Sequence, residues 1–186
     1  MAEALARNAV GIVVLASEEA ITPDFARLFP ELERRRRLFL NPLKTAFPAN
    51  LLVFERLGPG GDPKGDGAYV HSKLLIVDDD AALIGSVNCN RRSWGYDAEV
   101  TTTLVDEVKG RGAFMPPAER GAIRDIRCRH WEAHLGASMS GDASRDVALW
   151  RSPPAGARVR PFDHSGLTLI PLCPDMVWRT VIDPGI

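Results

Sequence analysis

Apolar residues along this chain fall into short runs separated by polar and glycine-rich segments. The run from Ala9 to Leu15 has no polar side chain and is rich in β-branched residues, which is typical of a strand buried on both faces. The run from Leu51 to Phe54 predicts the next strand. Three more strands are predicted at residues 68–78, 81–86 and 98–105, with a turn at Asp78 to Ala81 between the first two.

Helical patterns occupy several of the segments between these strands. A short helix is predicted at residues 2–8, longer helices at residues 22–37 and 116–135, and a short helix with a loop within residues 88–97. Thr22 can cap the second helix with Pro23 in its first turn, and Gly136 ends the last long one. Residues 137–186 show little periodicity, so we expect a domain of residues 1–136 and a C-terminal tail, residues 137–186, that packs on it.

The composition is that of an ordinary globular protein and does not indicate a particular binding partner. The 186 residues carry a formal net charge of −1, with 45% hydrophobic and 25% charged residues, as in ordinary globular proteins. No apolar run approaches the roughly 20 residues of a membrane-spanning helix, and the first residues lack the basic start of a secretory signal. The three cysteines have neither an even number nor metal-ligand spacing. We therefore expect a cytoplasmic chain that can lie peripherally at a membrane surface.

One segment carries most of the chemical information in the chain. It follows the spacing His-x-Lys-x4-Asp-x6-Gly-Ser-x-Asn, which is formed by His71, Lys73, Asp78, Gly85, Ser86 and Asn88. Each of these residues taken alone is common at a protein surface, but their joint spacing is difficult to match by chance. The pattern occurs once in the sequence.

The residue types in this segment suit chemistry on a phosphodiester. Alternation along a strand puts His71 and Lys73 on one face, so both can reach one phosphate. An imidazole with a pKa of about 6.5 can be a nucleophile or an acid at neutral pH, and the Lys73 ammonium can pair with non-bridging oxygens. The Asn88 amide can donate a further hydrogen bond to those oxygens. A carboxylate beside His71 would stabilise its imidazolium; Glu99 is the first candidate and Asp97 the second.

The segment resembles the HKD motif of the phospholipase D superfamily. The likeness continues through Asn90, Arg92 and Ser93, which resemble the Gly-Ser-x-Asn-x-Asn-x-Arg-Ser stretch of that family, to the acidic residue Glu99. A weaker likeness is the Trp-x-x-His-Leu-Gly pattern at residues 131–136, which resembles a helix found after the second motif in phospholipase D-type members. The strong likeness covers about residues 69–100.

This resemblance implies a fold and a mechanism. The implied fold is an α/β sandwich with a mixed sheet, of which this chain forms one lobe, and two HKD motifs meet across one active site. One histidine attacks phosphorus to give a phosphohistidine, and the other protonates the leaving alkoxide and then activates water or an alcohol; no metal or other cofactor is required. The implied site consists of the catalytic His71, the phosphate-binding Lys73 and Asn88, the supporting Ser86 and Glu99, and Asp78, which supports the local structure.

The chain departs from the two-lobed pattern because it contains a single His-x-Lys. His130, His134 and His164 are followed two residues later by Glu or Gly. The chain is therefore either a one-motif member that completes its site by dimerising or the second half of a two-motif enzyme, which the tryptophan pattern favours. The expected partners are a phospholipid substrate and a second HKD lobe, from a homodimer mate or from a separate N-terminal half.

The resemblance implies a phosphodiesterase that acts on phospholipid head groups by hydrolysis or by transfer to an alcohol. One rival is a cardiolipin synthase-type phosphatidyltransferase, but those enzymes usually have Asp at the position of Asn90 and Asn-Phe before the glutamate, where this chain has Asp97 and Ala98. A homodimeric nuclease is the second rival. The net charge of −1 leaves no electrostatic footprint for it, so no nucleic acid partner is expected. The third is a non-catalytic half that binds a partner or a phosphorylated ligand.

Two other groups of residues, an arginine run and a pair of histidines, are better explained by structural roles. The run Arg34 to Arg37 can contact phosphate, but Glu31 and Glu33 beside it favour a solvated helix face. His130 and His134 lie four residues apart on a predicted helix and share a face. No third metal ligand accompanies them, so ordinary helix packing is favoured over a metal site.

Overall fold

A computed structural model of the chain describes residues 1–16, 29–58, 68, 70–106, 121–165 and 174–179. Within these residues the helices are α1 (Ala2–Ala6), α2 (Phe29–Ala46), α3 (Arg91–Gly95), α4 (Ala122–Leu135), α5 (Ala143–Arg151) and α6 (Asp175–Val177). The strands are β1 (Gly11–Ala16), β2 (Leu51–Arg56), β3 (Lys73–Val77), β4 (Ala81–Gly85), β5 (Thr101–Val105) and β6 (Val159–Pro161). They form two three-stranded sheets, ordered β1-β2-β6 and β3-β4-β5, so the predicted α/β class is confirmed.

The first sheet is mixed. β1 and β2 are parallel, with Gly11 opposite Leu51, and β6 runs antiparallel to β2, with Pro161 opposite Phe54. Parallel strands need a crossover connection, and α2 lies in the segment that makes it. β1 lies where the sequence predicts it, but its residues are half-buried rather than buried on both faces. The reason is its place at an edge of the described sheet, whereas β2 is central and mostly buried.

The second sheet is an antiparallel meander. β3 pairs with β4 from Lys73 opposite Gly85 to Val77 opposite Ala81, and β4 pairs with β5, with Gly85 opposite Thr101. The three strands are shorter than the predicted strands at 68–78, 81–86 and 98–105 because the ladder stops at the level of Gly85. Several motif residues therefore lie on loop segments just beyond this end of the sheet.

The described part of the C-terminal segment contributes three regular elements that the sequence pattern does not predict, α5, β6 and the short α6. Trp150 of α5 and Val159 of β6 are buried with Phe54 and Leu135 in one core cluster. α5 has nine residues and β6 three, too few for a clear periodicity, so burial against β2 and α4 defines both elements. The predicted boundary between residues 1–136 and residues 137–186 stays a prediction.

The predicted end of α4 agrees with the structure, whereas α2 runs past its predicted end at residue 37. α4 ends at Gly136, whose φ of 65° is the left-handed conformation that favours glycine at a helix C-cap. α2 continues past Pro30, as predicted, and extends to Ala46. The helix starts predicted at Thr22 and Pro116 lie outside the described residues. Among the helices that the structure describes, none has the length and apolar character needed to cross a membrane.

The arginine run on α2 pairs with acidic side chains, as its neighbours suggest, but it is not a solvated face. Arg34 to Arg37 form ion pairs with Glu31 and Glu33 within the helix. The four arginine side chains are only 11–25% exposed. Two of them lie over the rings of Trp178 and Phe162, so C-terminal residues cover this face and the predicted solvation is wrong.

A buried arginine fastens the second sheet to α4. Arg127 donates hydrogen bonds to both carboxylate oxygens of Asp79, at 2.7 and 2.9 Å, and a third to the Gly141 carbonyl. Its guanidinium lies 4.6 Å from the ring centre of Trp131 and 3.6 Å from the carboxylate of the buried Asp146. Because Asp79 lies in the β3–β4 turn, this contact fixes the hairpin against the helix.

Candidate active site

The register of the second sheet brings distant motif residues to one end of that sheet. Lys73, Gly85 and Thr101 lie side by side on β3, β4 and β5. Ser86 follows Gly85, and Glu99 precedes Thr101 by two residues, so both lie at the same end as Lys73. Strand pairing, rather than proximity in the sequence, unites these side chains.

Lys73 holds its ammonium group against the backbone of His71. Its Nζ donates to the His71 carbonyl oxygen at 2.6 Å, and the His71 residue is exposed. A lysine ammonium has three N–H donors, so its other two can serve an anion. The two residues therefore place a cation and an imidazole at the same open end of the sheet.

Ser86 joins the ends of β4 and β5 next to Glu99. Its N–H donates to the Val100 carbonyl at 2.9 Å, and its hydroxyl accepts from the Val100 N–H at 3.0 Å. The same hydroxyl donates to the Glu99 carboxylate. Hydrogen bonds from the hydroxyls of Ser86 and then Ser93 lower the pKa of Glu99. The nearby charge of Lys73 lowers this pKa further, so Glu99 is an anion at neutral pH.

Asn88 lies on the loop between β4 and α3, with its side chain exposed. Its Nδ2 donates to the Ser93 hydroxyl oxygen across 3.5 Å. Asn90 caps α3 by accepting a hydrogen bond from the Ser93 N–H at 2.9 Å. An amide nitrogen carries two N–H groups, so the second N–H of Asn88 can donate to a phosphate oxygen.

Asp97, the second candidate for the carboxylate beside His71, is engaged by another side chain. The Arg92 guanidinium donates two hydrogen bonds to one Asp97 carboxylate oxygen, at 2.9 and 3.2 Å. Glu99 in contrast lies close enough to Lys73 for their charges to interact. Arg92 therefore engages Asp97, while Glu99 interacts with the charge of Lys73.

Asp78 is the one predicted site residue that lies away from this end of the sheet. It follows β3 in the hairpin turn, where Asp78 and Asp79 adopt left-handed φ values of 52° and 56°. Five residue steps along the strand, at about 3.3 Å each, place it about 16 Å from Lys73. Asp78 therefore cannot contact a phosphate bound at Lys73, and its structural role stays a prediction.

Gly85 lies where β4 and β5 approach each other most closely. A Cβ atom added there would overlap the Val100 carbonyl oxygen and lie 2.7 Å from the Thr101 Cα. Neither backbone atom can rotate away, so Gly85→Ala would push β5 from β4 and move Glu99 relative to Ser86. We expect a loss of stability of about 1–3 kcal/mol and a fall in any head-group release of about 10²-fold.

Gly156→Ala is the matched control for this substitution. A Cβ added at Gly156 meets no atom within 4 Å, so this variant should keep wild-type stability and activity. Urea unfolding and head-group release measure the two effects. Equal stability of the Gly85→Ala and Gly156→Ala variants would contradict the close approach of β4 and β5.

Ser93 is a residue that the sequence reasoning leaves out of the predicted site. It is 6% exposed, although its neighbours on α3, Arg92 and Trp94, are exposed. Its hydroxyl contacts Asn88 and contributes a hydrogen bond to Glu99. The signal for it is its place in the family-like stretch after Asn88. A helix of five residues is too short for the sequence to reveal which side chain faces inward.

His130 and His134 lie on α4 with their ring centres 6.5 Å apart. Across the described ranges, no group of three or more His, Cys, Asp or Glu side chains is placed to hold a metal ion. The His134 ring instead packs 5.9 Å from the ring centre of Trp150, at the edge of a core cluster. Packing, the role predicted for this helix face, is confirmed for His134.

Burial of His134 predicts a loss of stability in acid. Burial, with the nearby charges of Arg56 and His130, lowers the pKa of His134 from 6.5 to about 4. Since the folded pKa lies below the unfolded one, the unfolded state takes up the extra proton more readily. Stability is therefore full above about pH 6.5 and is lost as the pH falls through about 4. The full shift corresponds to about 3 kcal/mol, and we expect about 2 kcal/mol because the ring is partly open to solvent.

Urea unfolding at about pH 7.5 and about pH 4.5 measures this effect in the wild type and in a His134→Leu variant. Carboxylates titrate in the same range, but they are common to both proteins and cancel in the comparison. The wild type should lose about 2 kcal/mol more than the variant on acidification. The same pH dependence in the wild type and in His134→Leu would contradict a lowered pKa of His134 as the cause of the acid instability.

The chain is similar to parts of several phospholipases D. It is 30% identical over 138 residues to phospholipase D C of Dictyostelium discoideum, covering 70% of this chain and 8% of that protein. It is 40% identical over 129 residues to phospholipase D A of the same organism, covering 66% and 9%. It is 38% identical over 90 residues to phospholipase D zeta 1 of Arabidopsis thaliana, covering 46% and 8%. The chain thus spans less than a tenth of each of these relatives, and neither a family model nor a solved structure matches it.

Proposed function

This chain belongs to the phospholipase D superfamily, and we propose that it is one catalytic lobe of a phospholipase D-type phosphodiesterase. The proposed substrate is a phospholipid, whose head group is released by hydrolysis or exchanged by transfer to an acceptor alcohol. One observation carries the proposal. The cation Lys73 and the hydrogen-bonded carboxylate Glu99 meet at the end of the sheet where His71 lies.

Lys73 and Asn88 are proposed to hold the phosphate of the substrate. The Lys73 ammonium supplies a positive charge for the non-bridging oxygens, and the second N–H of Asn88 supplies a neutral donor. Negative charge on these oxygens is redistributed as the bond to the head group breaks. Donors fixed in advance stabilise that redistribution without reorganising during the reaction.

His71 is proposed to act on the phosphorus centre, with Ser86 and Glu99 as its support. A carboxylate kept anionic by hydroxyl donors can stabilise an imidazolium nearby. Ser86 holds Glu99 through a direct hydrogen bond, which supports this assignment. His71 comes from a segment that resembles the second motif of the family, so we assign to it the proton-donor role.

The proposed reaction uses two histidines in two steps. In the first, a histidine nitrogen of the other motif attacks phosphorus, the P–O bond to the head group breaks, and His71 gives its proton to the leaving oxygen. In the second, neutral His71 takes a proton from water or an alcohol, whose oxygen attacks phosphorus and breaks the P–N bond. Both histidines then regain their starting protonation states.

A second His-x-Lys must be supplied from outside this sequence. The chain contains one copy and spans less than a tenth of the relatives that it matches. We propose that the partner is a separate N-terminal half with the first motif, with a second copy of this chain as the alternative. The residues of the described site lie at an open sheet end, which suits completion by another lobe.

A phospholipid substrate also indicates where the chain would act. We propose that the chain is cytoplasmic and reaches its substrate at a membrane surface. The cysteine pattern supports a reducing compartment, and the relatives carry the name phospholipase D. A nuclease is less well supported, because the net charge of −1 provides no general attraction for a polyanion.

Choline release from phosphatidylcholine vesicles tests this proposal. The chain is assayed alone and mixed with a separately produced first-motif lobe, and a sizing column reports its oligomeric state. We expect an inactive monomer that gains activity with the added lobe. Activity from a dimer of the chain alone would instead identify a homodimeric enzyme. No release in either assay, together with no binding of inorganic phosphate, would overturn the proposal.

A further inference from the structure

Ser93 is buried on α3 between two exposed neighbours, Arg92 and Trp94. α3 is a single short turn, and the side chains of Arg92, Trp94 and Tyr96 lie in solvent. Ser93 alone among these positions is nearly buried, at 6% exposure. Burying a polar side chain is unfavourable unless it is hydrogen-bonded, so the partners of its hydroxyl explain why it is inside.

The Ser93 hydroxyl can satisfy two different groups of the site at once. A serine hydroxyl has one donor and two acceptor positions. One acceptor position receives the Asn88 amide at 3.5 Å. The donor is directed to Glu99, since an ionised carboxylate can only accept. Ser93 thus contacts both a group proposed to bind phosphate and the carboxylate proposed to support His71.

The backbone of Ser93 is held by a separate contact. Asn90 accepts a hydrogen bond from the Ser93 N–H at 2.9 Å and so caps α3. The Asn90 cap therefore fixes the Ser93 backbone, and burial restricts the movement of its hydroxyl. Ser86 approaches Glu99 from β4, so the carboxylate receives hydroxyl donors from two different elements.

We propose that Ser93 is a positioning residue, whose buried hydroxyl orients the Asn88 amide and fixes Glu99 in a single arrangement. It touches neither substrate nor the reacting atoms. Its effect passes through Asn88, by turning one N–H inward and leaving the other for phosphate, and through Glu99, by holding the carboxylate still beside Lys73. The importance of this role rests on the proposed function, but the contacts can be tested without any activity.

Four variants of the full chain separate the hydroxyl from its surroundings. Ser93→Ala removes the hydroxyl. Ser93→Cys replaces it with a weak donor of nearly the same shape, so this variant should keep α3 folded if the alanine variant does not. Ser93→Thr keeps a hydroxyl. Ser144→Ala is the matched control, because the Ser144 hydroxyl also donates to a carboxylate, Asp142, at 2.5 Å, but on α5.

An NMR titration of the side-chain carboxyl carbons reports on each carboxylate. Ser93→Ala and Ser93→Cys should raise the pKa of Glu99, because both remove the Ser93 hydroxyl that lowers it, while Ser93→Thr should leave it near the wild-type value. Ser144→Ala should raise the pKa of Asp142, which its hydroxyl lowers, and leave Glu99 unchanged. The Asn88 side-chain amide signals should move in the Ala and Cys variants only, and binding of inorganic phosphate should weaken by about threefold to tenfold.

The titration separates failure of this inference from failure of the proposed function. Glu99 and Asn88 signals that are unchanged in both Ser93→Ala and Ser93→Cys would overturn the role of Ser93, whatever the chain binds. A wild-type chain that binds no phosphate would count against the proposed function, and the carboxylate titration would still decide the contacts of Ser93.

Discussion

Replacing His71 with alanine is expected to lower head-group release by about 10² to 10⁴-fold in the assembly that shows activity. The residue is exposed at the end of the second sheet, so its replacement should leave the fold intact. What is lost is the proton transfer to the leaving alkoxide, a strongly basic group. Initial rates of choline release, compared at equal concentrations of folded protein, measure the loss.

The leaving group of the substrate tells whether His71 is an acid or a nucleophile. A p-nitrophenyl phosphodiester releases a weakly basic phenolate that needs little protonation. If His71 is the acid, His71→Ala should lose far less activity with this substrate than with phosphatidylcholine. If His71 is the nucleophile, both substrates should lose activity equally, and the assignment made here would be wrong.

His130→Ala is the control for this experiment. His130 is an exposed histidine on α4, outside the site at the end of the second sheet. The substitution should leave head-group release unchanged. If it lowered the rate as much as His71→Ala does, the site would have to be moved from the second sheet to α4.

Replacing Arg127 with methionine is expected to lower the free energy of unfolding by about 3–5 kcal/mol. The side chain is 5% exposed and pairs with Asp79, and it lies near Asp146, whose side chain is 4% exposed. Methionine fills much of the same space but removes the charge and its donors. The buried carboxylate of Asp146 loses its cation, and the β3–β4 turn loses its attachment to α4. Urea unfolding measures the change.

Arg124→Met provides a matched comparison on the same helix. Arg124 is 51% exposed and pairs with the exposed Asp125, so its loss should change stability by less than about 0.5 kcal/mol. If Arg127→Met does not fold, Asp79→Asn offers a milder test, because an amide still accepts from the guanidinium. Arg127 and Arg124 variants of equal stability would contradict the proposed attachment of the hairpin.

The chemistry of the candidate site was predictable because it resides in residue types at fixed spacing. His71 and Lys73 are two residues apart in a pattern that predicts a strand, although β3 begins only at Lys73. This information lies in the local sequence and does not depend on the tertiary structure. Glu99 was predicted ahead of Asp97 as the carboxylate beside His71, and that ranking stays a prediction; the structure shows that Arg92 pairs with Asp97.

Two of the predictions that went wrong concern burial. β1 is apolar throughout, but its position at an edge of the described sheet leaves it half-buried. The arginine run is polar throughout, but Trp178 and Phe162 cover it. In both cases hydrophobicity along the chain gives a propensity, whereas burial depends on which distant residues arrive.

By itself, the sequence determined the α/β class and the family and indicated candidate residues for chemistry on a phosphodiester, because each follows from side-chain chemistry and local periodicity. The tertiary structure decided how these residues are arranged. Strand register joined Lys73 to Glu99, the length of β3 separated Asp78 from both, and a single short helix turned Ser93 inward. These outcomes depend on pairing between segments that are distant in the sequence. The free energy of this pairing is spread over many contacts, so no single segment of the sequence predicts it.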